Sequence, residues 1–176
     1  AAAVALAAPV HAQDFPNKPI RMIVPYAAGG ADLYLRPLQP AIEKILGHPM
    51  VIDNVGGAGG IVGVTQARNA PADGYTILFT SSTFLVNPGV QKVPYDPVAS
   101  FTPIAMVGGT PNVLIVPPSL PVATLAEFVG YAKANPGKLS YGSWGVGSQA
   151  HLVGAQISQT LDADMSHVAY KGEAPM

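Results

Sequence analysis

The residues of this chain whose types and spacing suggest chemistry are Ser148 and His151, three positions apart. Three positions make nearly one helical turn, so both side chains can face the same opening. A nucleophilic serine in an α/β-hydrolase needs glycine two residues before and two after it, but Val146 and Ala150 stand there. The sequence also offers no nearby acid to orient the imidazole. The pair therefore favours a binding or capping role, and a secreted Ser/His hydrolase or transferase stays the alternative.

Metal and thiolate chemistry have little support in the sequence. The histidines form no H-x-x-x-H pattern and have no carboxylate partner at helical spacing, and they stand at His11, His48, His151 and His167. Cysteine is absent from the 176 residues, which excludes a disulfide framework and a thiolate site. We expect no metal site and no cofactor.

Two loops rich in glycine and serine are the stronger signal, because each lies between an apolar strand pattern and an amphipathic helix pattern. The first follows a strand at 20–24, passes Gly29 and Gly30 and enters a helix at Asp32. The second, 143–148, follows a strand at 139–142 and enters a helix at 149–161. Glycine lets a backbone approach a ligand closely, and the first N–H groups of a helix attract anions. The pattern predicts that hydrogen bonds hold a small carboxylate between these loops.

The elements that position these loops follow from hydrophobic periodicity. A helix over 32–46 should bury a stripe that includes Leu35 and Ile45 and leave Glu43 in water. Pro37 and Pro40 should either kink this helix or move its true start to a later residue. Further elements are predicted as strands at 50–54, 75–80 and 165–168 and helices over 61–68 and from the Thr124 capping box to Asn135.

Three further stretches complete the plan. The hydroxyl run Ser81, Ser82 and Thr83 either donates to a ligand at the sheet edge or caps the next segment. The apolar runs 101–108 and 112–116 have the pattern of two consecutive strands with no helix between them. This break in the β-α-β order indicates a crossover between two lobes.

Composition and the N-terminus bound the class of protein. Nine basic and ten acidic residues, without a basic cluster, argue against nucleic acid as a partner. Residues 1–12 resemble the end of a secretory signal peptide, with an apolar run, Pro9 and a small residue at the expected cleavage point after Ala12. We expect an exported, periplasmic protein.

Several short motifs occur together in the order typical of one family. They are Phe15-Pro16-Asn17-Lys18-Pro19-Ile20, Val24-Pro25-Tyr26-Ala27-Ala28-Gly29-Gly30, Gly57-Ala58-Gly59-Gly60, Asp73-Gly74-Tyr75-Thr76, Pro94-Tyr95-Asp96-Pro97, Asn135-Pro136-Gly137-Lys138-Leu139 and Tyr170-Lys171-Gly172. With them, essentially everything after residue 14 resembles the Bug-type periplasmic receptors of tripartite tricarboxylate transporters.

The resemblance implies an α/β, two-lobed periplasmic-binding-protein fold of the Venus-flytrap type, with lobe 1 in 13–111 and lobe 2 in 112–176. Family members run past residue 176, so the second lobe is expected to be incomplete and the fold truncated at its C-terminus. The implied function is capture of a small carboxylate, which is a tricarboxylate, a dicarboxylate, an acidic amino acid or an aromatic acid. The implied partners are the membrane permease subunits, and the receptor is expected to be a monomer without enzymatic activity.

The resemblance also implies which residues contact the ligand. Lobe 1 would contribute Tyr26, Ala27, Ala28, Gly29, Gly30, Asp32, Ser81, Ser82 and Thr83, and lobe 2 would contribute Ser143, Trp144, Gly147, Ser148, His151 and Tyr170, with Lys171 beside them. The family usually has two residues between the Gly-Gly pair and the acidic residue, whereas only Ala31 stands there in this chain. This shortening is expected to change the place of Asp32.

Overall fold

The computed structural model describes residues 14–109 and 111–176, and the predicted signal-peptide segment 1–12 lies outside them. The strands of this part are β1 (Ile20–Val24), β2 (Met50–Asn54), β3 (Thr76–Leu78), β4 (Ser140–Ser143) and β5 (Ser166–Ala169). The helices are α1 (Asp32–Leu35), α2 (Gln39–Leu46), α3 (Ile61–Arg68), α4 (Thr83–Val90), α5 (Leu125–Ala134) and α6 (Gln149–Leu161), and a 3-10 turn covers Ala58–Gly60.

The first sheet is parallel, with β1 between β2 and β3. The central strand is apolar almost throughout because it is buried on both faces, which is typical of parallel sheets covered by helices. Met22 and Val24 pack in one core cluster with Tyr26, Leu35 and Met50. This core fixes the carboxyl end of β1, from which the first glycine loop departs.

The second sheet is the parallel pair β4 and β5, in register from Ser140 opposite Ser166 to Ser143 opposite Ala169. Helix α6 makes the crossover that a parallel pair requires. It lies against β4 at a helical glycine, since a Cβ on Gly154 would come within 2.2 Å of the Tyr141 ring. Both sheets therefore repeat one plan of strand, loop, helix and parallel strand, which confirms the mixed α/β class.

The expected helix over 32–46 is two helices, α1 and α2, with Pro37 in the break. Pro40 is tolerated because it lies in the first turn of α2, where its missing N–H has no helical partner. The predicted stripe is only partly buried: Leu35 is in the core and Ile42 packs against it, but Ile45 is 82% exposed. Glu43 is half exposed, and its carboxylate also accepts the Met50 N–H at 2.8 Å.

The two runs predicted as strands at 101–108 and 112–116 do not form strands. Phe101 packs edge-on against Phe84, but residues 102–109 and 111–116 form no helix or strand and expose large apolar side chains such as Ile104 and Met106. The prediction was wrong because a run of apolar residues forms a strand only where a neighbouring strand pairs with its backbone N–H and C=O groups. Within the described residues the segment connects the two sheets, and a lobe boundary at 111/112 stays a prediction.

The other predicted elements agree with the structure to within two residues. The capping box is present, since Thr124 Oγ1 accepts the Glu127 N–H and the Glu127 carboxylate accepts the Thr124 N–H. Helix α4 was not predicted, and it contains Pro88. In the part of the chain described here, no helix has both the length and the apolar character needed to cross a membrane.

Candidate ligand-binding cleft

Loops at the carboxyl ends of the strands of both sheets contact each other, and we call this edge the candidate cleft because parallel α/β sheets bind ligands at the carboxyl ends of their strands. Five loops follow the five strands. They are the first glycine loop (25–31) after β1, the second glycine loop (55–60) after β2, the hydroxyl loop (79–82) after β3, the serine loop (144–148) after β4 and the lysine loop (170–175) after β5.

Loops from the two sheets touch each other across the cleft. The Ala27 N–H donates to the Lys171 carbonyl at 3.4 Å. A Cβ on Gly29 would lie 3.1 Å from the Ala174 Cβ, and one on Gly30 would lie 3.6 Å from a Glu173 carboxylate oxygen. The first glycine loop, in one half of the sequence, therefore packs against the lysine loop of the other half.

Asp32 stabilises the first glycine loop through a hydrogen bond to the loop backbone. Its carboxylate is fully buried, and it accepts the Gly29 N–H at 2.8 Å and the Arg36 Nε–H at 2.6 Å. Each carboxylate oxygen is thus engaged by the protein itself, and the arrangement fixes the loop rather than presenting Asp32 to a ligand. The N–H groups of Gly30 and Ala31 have no acceptor within 14–109 and 111–176, so this loop offers backbone donors.

The hydroxyl loop is held by the buried Tyr26. Its phenol oxygen lies 2.7 Å from Ser81 Oγ and 3.3 Å from Thr80 Oγ1, and Ser81 Oγ donates to Thr83 Oγ1 at 3.2 Å. Ser81 and Ser82 are exposed, while Thr83 is buried. The expected alternative, a side-chain cap on the next helix, is not made by Ser82. This network orients the Ser81 hydroxyl, and the exposed Ser82 lies beside it.

Ser148 and His151 form a helix cap and not a nucleophile with its base. The buried Ser148 Oγ accepts the His151 backbone N–H at 3.2 Å, at the N-terminus of α6. The imidazole Nδ1 of His151 accepts the Gly147 N–H at 3.1 Å, so that nitrogen is occupied as well. Both side chains shape the serine loop, as the capping interpretation predicts.

Ser143 is also used internally. Its buried Oγ lies 2.7 Å from His167 Nε2 and accepts the Gly145 N–H at 3.2 Å. His167 was not among the predicted site residues, and it stacks on both Tyr141 and His151. Burial lowers the pKa of His167, and the neighbouring His151 lowers it further. The contact of His167 with Ser143 depends on the pairing of β4 with β5, which cannot be predicted from the residues around His167 alone.

The remaining predicted contacts differ in exposure. Ala28 and Tyr170 are exposed at the cleft, Trp144 is half-buried, and Gly147 is buried. A Cβ on Gly147 would lie 2.4 Å from Oδ1 of Asn87, a buried side chain of α4 that the sequence did not indicate. Over the described ranges, no group of three or more histidine, aspartate or glutamate side chains is placed to hold a metal ion.

Comparison with known proteins agrees with this geometry. A family model described as the tripartite tricarboxylate transporter family receptor, TctC, matches residues 34–176. A UPF0065 protein of Bordetella pertussis is 40% identical over 171 residues, which cover 96% of this chain and 53% of that protein. BugT of the same organism is 36% identical over 178 residues, which cover 99% and 55%.

Two solved structures share the fold. An R. palustris protein with adipate superposes with a TM-score of 0.87 at 32% identity, covering 92% of this chain and 55% of that one. MatC from Rhodopseudomonas palustris with bound malate gives a TM-score of 0.80 at 28% identity, covering 92% and 56%. The chain thus spans about half the length of these relatives. It belongs to the receptor family of tripartite tricarboxylate transporters, the Bug-type solute-binding proteins with a two-lobed periplasmic-binding-protein fold.

Proposed function

We propose that this protein is a periplasmic solute-binding receptor that captures a small carboxylate and delivers it to the permease subunits of a tripartite tricarboxylate transporter. The observation that carries the proposal is that loops of the two sheets meet: the first glycine loop contacts the lysine loop, and the second glycine loop contacts the serine loop. Membership of the receptor family supports it. The receptor acts as an exported monomer without catalysis, and the fixed capping role of Ser148 is consistent with that.

Backbone donors suit this ligand class. The cleft is lined mainly by glycine, serine and small apolar residues, so a carboxylate would be held by hydrogen bonds more than by ion pairs. A hydrogen bond to a charged group contributes about 1.5–3 kcal/mol. Micromolar affinity corresponds to about −8 kcal/mol, so a handful of such bonds suffices after the cost of ordering. Water bridges between loops and ligand would add to them.

Dicarboxylates are the first ligands to test. The two structural relatives hold adipate and malate, each with a carboxylate at either end. A cleft with one strand-loop-helix unit on each side fits a ligand with two acceptor groups. Within the carboxylates, tricarboxylates, acidic amino acids and aromatic acids remain to be compared with them.

The proposal is tested by thermal unfolding of the natural gene product with malate, adipate, citrate, glutamate and terephthalate. A ligand at about 100 times its dissociation constant stabilises a protein by about 2.7 kcal/mol. Dimethyl adipate is the matched control, because it keeps the carbon chain and loses the negative charges. We expect at least one acid to raise the melting temperature and to be recovered unchanged. Adipate should raise the melting temperature more than dimethyl adipate does. No shift with any acid, or conversion of the acid, would contradict the proposal.

A variant pair tests the site itself. Ser82 is exposed at the hydroxyl loop, and Ser119 is exposed in the segment between the sheets. We expect Ser82→Ala to weaken binding of the best acid by about tenfold, which corresponds to about 1.4 kcal/mol, and Ser119→Ala to leave it unchanged. Equal affinities for the two variants would remove the hydroxyl loop from the site.

A further inference from the structure

The two lobes meet at a second place, where the second glycine loop touches the serine loop. Gly59 has a φ of +62°, and a Cβ there would lie only 2.6 Å from the Val146 carbonyl oxygen. The Gly59 Cα would in turn lie 3.0 Å from a Cβ on Gly145. Real Cβ atoms do not approach backbone atoms to 2.6 Å, so this approach requires glycine at position 59.

Asn87 reinforces the same contact from the first lobe. Its side chain is 1% exposed, its Nδ2 donates to the Gly59 carbonyl at 3.0 Å, and its Oδ1 accepts from Gln91 Nε2 at 3.1 Å. The same Oδ1 packs on Gly147 of the second lobe, where a Cβ would lie at 2.4 Å. Asn87 is therefore fixed by first-lobe hydrogen bonds and contacts second-lobe backbone.

We propose that Gly59 and Asn87 are positioning residues that set how closely the second glycine loop and the serine loop approach each other, without contacting the ligand. Backbone atoms in van der Waals contact set a minimum distance between the two loops, because protein interiors are nearly incompressible. A wider separation would take one end of a bound ligand out of hydrogen-bond range, since these bonds fail beyond about 3.5 Å. The inference rests on the proposed function, because it assigns a role in carboxylate binding.

Gly59→Ala tests the contact, and Gly47→Ala is its matched control. Both glycines are left-handed, with φ of +62° and +70°, so alanine brings similar backbone strain at each. A Cβ on Gly47 would meet nothing within 4 Å, whereas one on Gly59 would meet the Val146 carbonyl. A difference in ligand affinity between the two variants therefore measures the effect of the contact between the second glycine loop and the serine loop.

We expect Gly59→Ala to bind malate, or adipate if malate does not bind, at least about tenfold more weakly than Gly47→Ala, chiefly through faster dissociation. Small-angle scattering with saturating ligand should give Gly59→Ala the larger radius of gyration. Equal affinity and equal radius in the two variants would overturn the proposal. If the natural protein binds no carboxylate, the proposed function fails, and the scattering comparison without ligand still decides whether Gly59 limits the approach of the lobes.

A second variant keeps the test valid if Gly59→Ala does not fold. Asn87→Asp preserves the size of the side chain but replaces the donor to the Gly59 carbonyl by an acceptor. The control is Asn112→Asp, in the exposed segment between the sheets. We expect Asn87→Asp to weaken binding at least about fivefold relative to Asn112→Asp, a little under 1 kcal/mol. Equal affinities of two folded variants would overturn the role of Asn87.

Discussion

The imidazoles of His151 and His167 stack with their centroids 4.1 Å apart and their planes 20° from parallel. On its other face, His167 stacks on Tyr141 at 5.0 Å, and its Nε2 lies 2.7 Å from Ser143 Oγ. Two charged imidazoles at this distance would repel each other, and the stack is partly shielded from water. The second lobe therefore favours the neutral form of His167 beneath the serine loop, in line with its lowered pKa.

This stack predicts a loss of stability in mild acid. Burial and the neighbouring His151 lower the pKa of His167 below its ordinary value of 6.5, so the unfolded chain takes up the proton first. The stabilisation is complete above about pH 6.5 and is lost as the pH falls through that value toward the lower folded pKa. Thermal unfolding between about pH 8 and about pH 5 should show the melting temperature falling from about pH 6.5 downward.

The matched variants for this pH test are His167→Gln and His48→Gln. His48 lies at the end of α2, away from the stack. We expect His167→Gln to flatten the fall in melting temperature and His48→Gln to keep it. The carboxylates with lowered pKa values, such as Glu43 and Asp96, lose their protons at more acidic pH and do not obscure this range. The same slope in both variants would disprove the assignment.

Asp32 should be important for stability. Removing one partner of a buried charge pair is strongly destabilising, and Asp32→Ala also leaves the Gly29 N–H without its acceptor. We expect a loss of about 3 kcal/mol in the free energy of unfolding, less than the loss for a fully buried pair because Arg36 is half exposed. Asp53→Ala is the control, since its pair with Arg21 is solvated on both sides and should contribute less than about 1 kcal/mol. Denaturant unfolding of both variants measures the difference.

Two helical glycines should respond to alanine in opposite directions. Gly154→Ala places a methyl into the Tyr141 ring and should destabilise by about 1–3 kcal/mol, because the packed ring cannot yield freely. Gly130→Ala, in α5, meets nothing within 4 Å and should stabilise by up to about 1 kcal/mol through helix propensity. Urea unfolding of the two variants measures these changes in the free energy of unfolding. A more stable Gly154→Ala would show that α6 does not pack on β4 as described.

The N-caps of α5 and α6 offer a test of the hydrolase alternative. Ser148→Ala and Thr124→Ala each remove a capping hydroxyl, and each should cost about 1 kcal/mol of stability. Ser148→Thr should recover most of that loss because threonine also caps. A Ser148→Ala variant of unchanged stability that abolished turnover of an ester would support catalysis instead, with Thr124→Ala as the reference for folding.

Local sequence signals predicted most of the secondary structure correctly. The bounds 149–161 of α6 were predicted exactly, because a serine cap and apolar residues at helical spacing lie within one short stretch. Strand β1 was likewise defined by its own residues. The runs 101–108 and 112–116 carried an equally clear pattern, but a strand also needs a partner, and that information lies elsewhere in the chain.

The cleft was predictable in its loops and not in its side chains. Glycine and serine after a strand predicted loops that the structure has after β1 and β4, and their role in binding a ligand stays a prediction. The burial of Ser143 and the roles of Asn87 and His167 depend on contacts between residues far apart in sequence, such as Asn87 with Gly59 and Ser143 with His167. Periodicity within one segment cannot encode them.

The pairing of strands has a consequence for biosynthesis. In the described residues, β1 pairs with β2 and β3 inside 20–78, and β4 pairs with β5 inside 140–169. Neither sheet therefore needs a strand of the other in order to form. Domains generally form as units, in the order in which the ribosome releases them. The first sheet can therefore assemble while the second is still being translated. Within the described residues, the contacts between the loops of the two sheets can form only after both sheets have been synthesised.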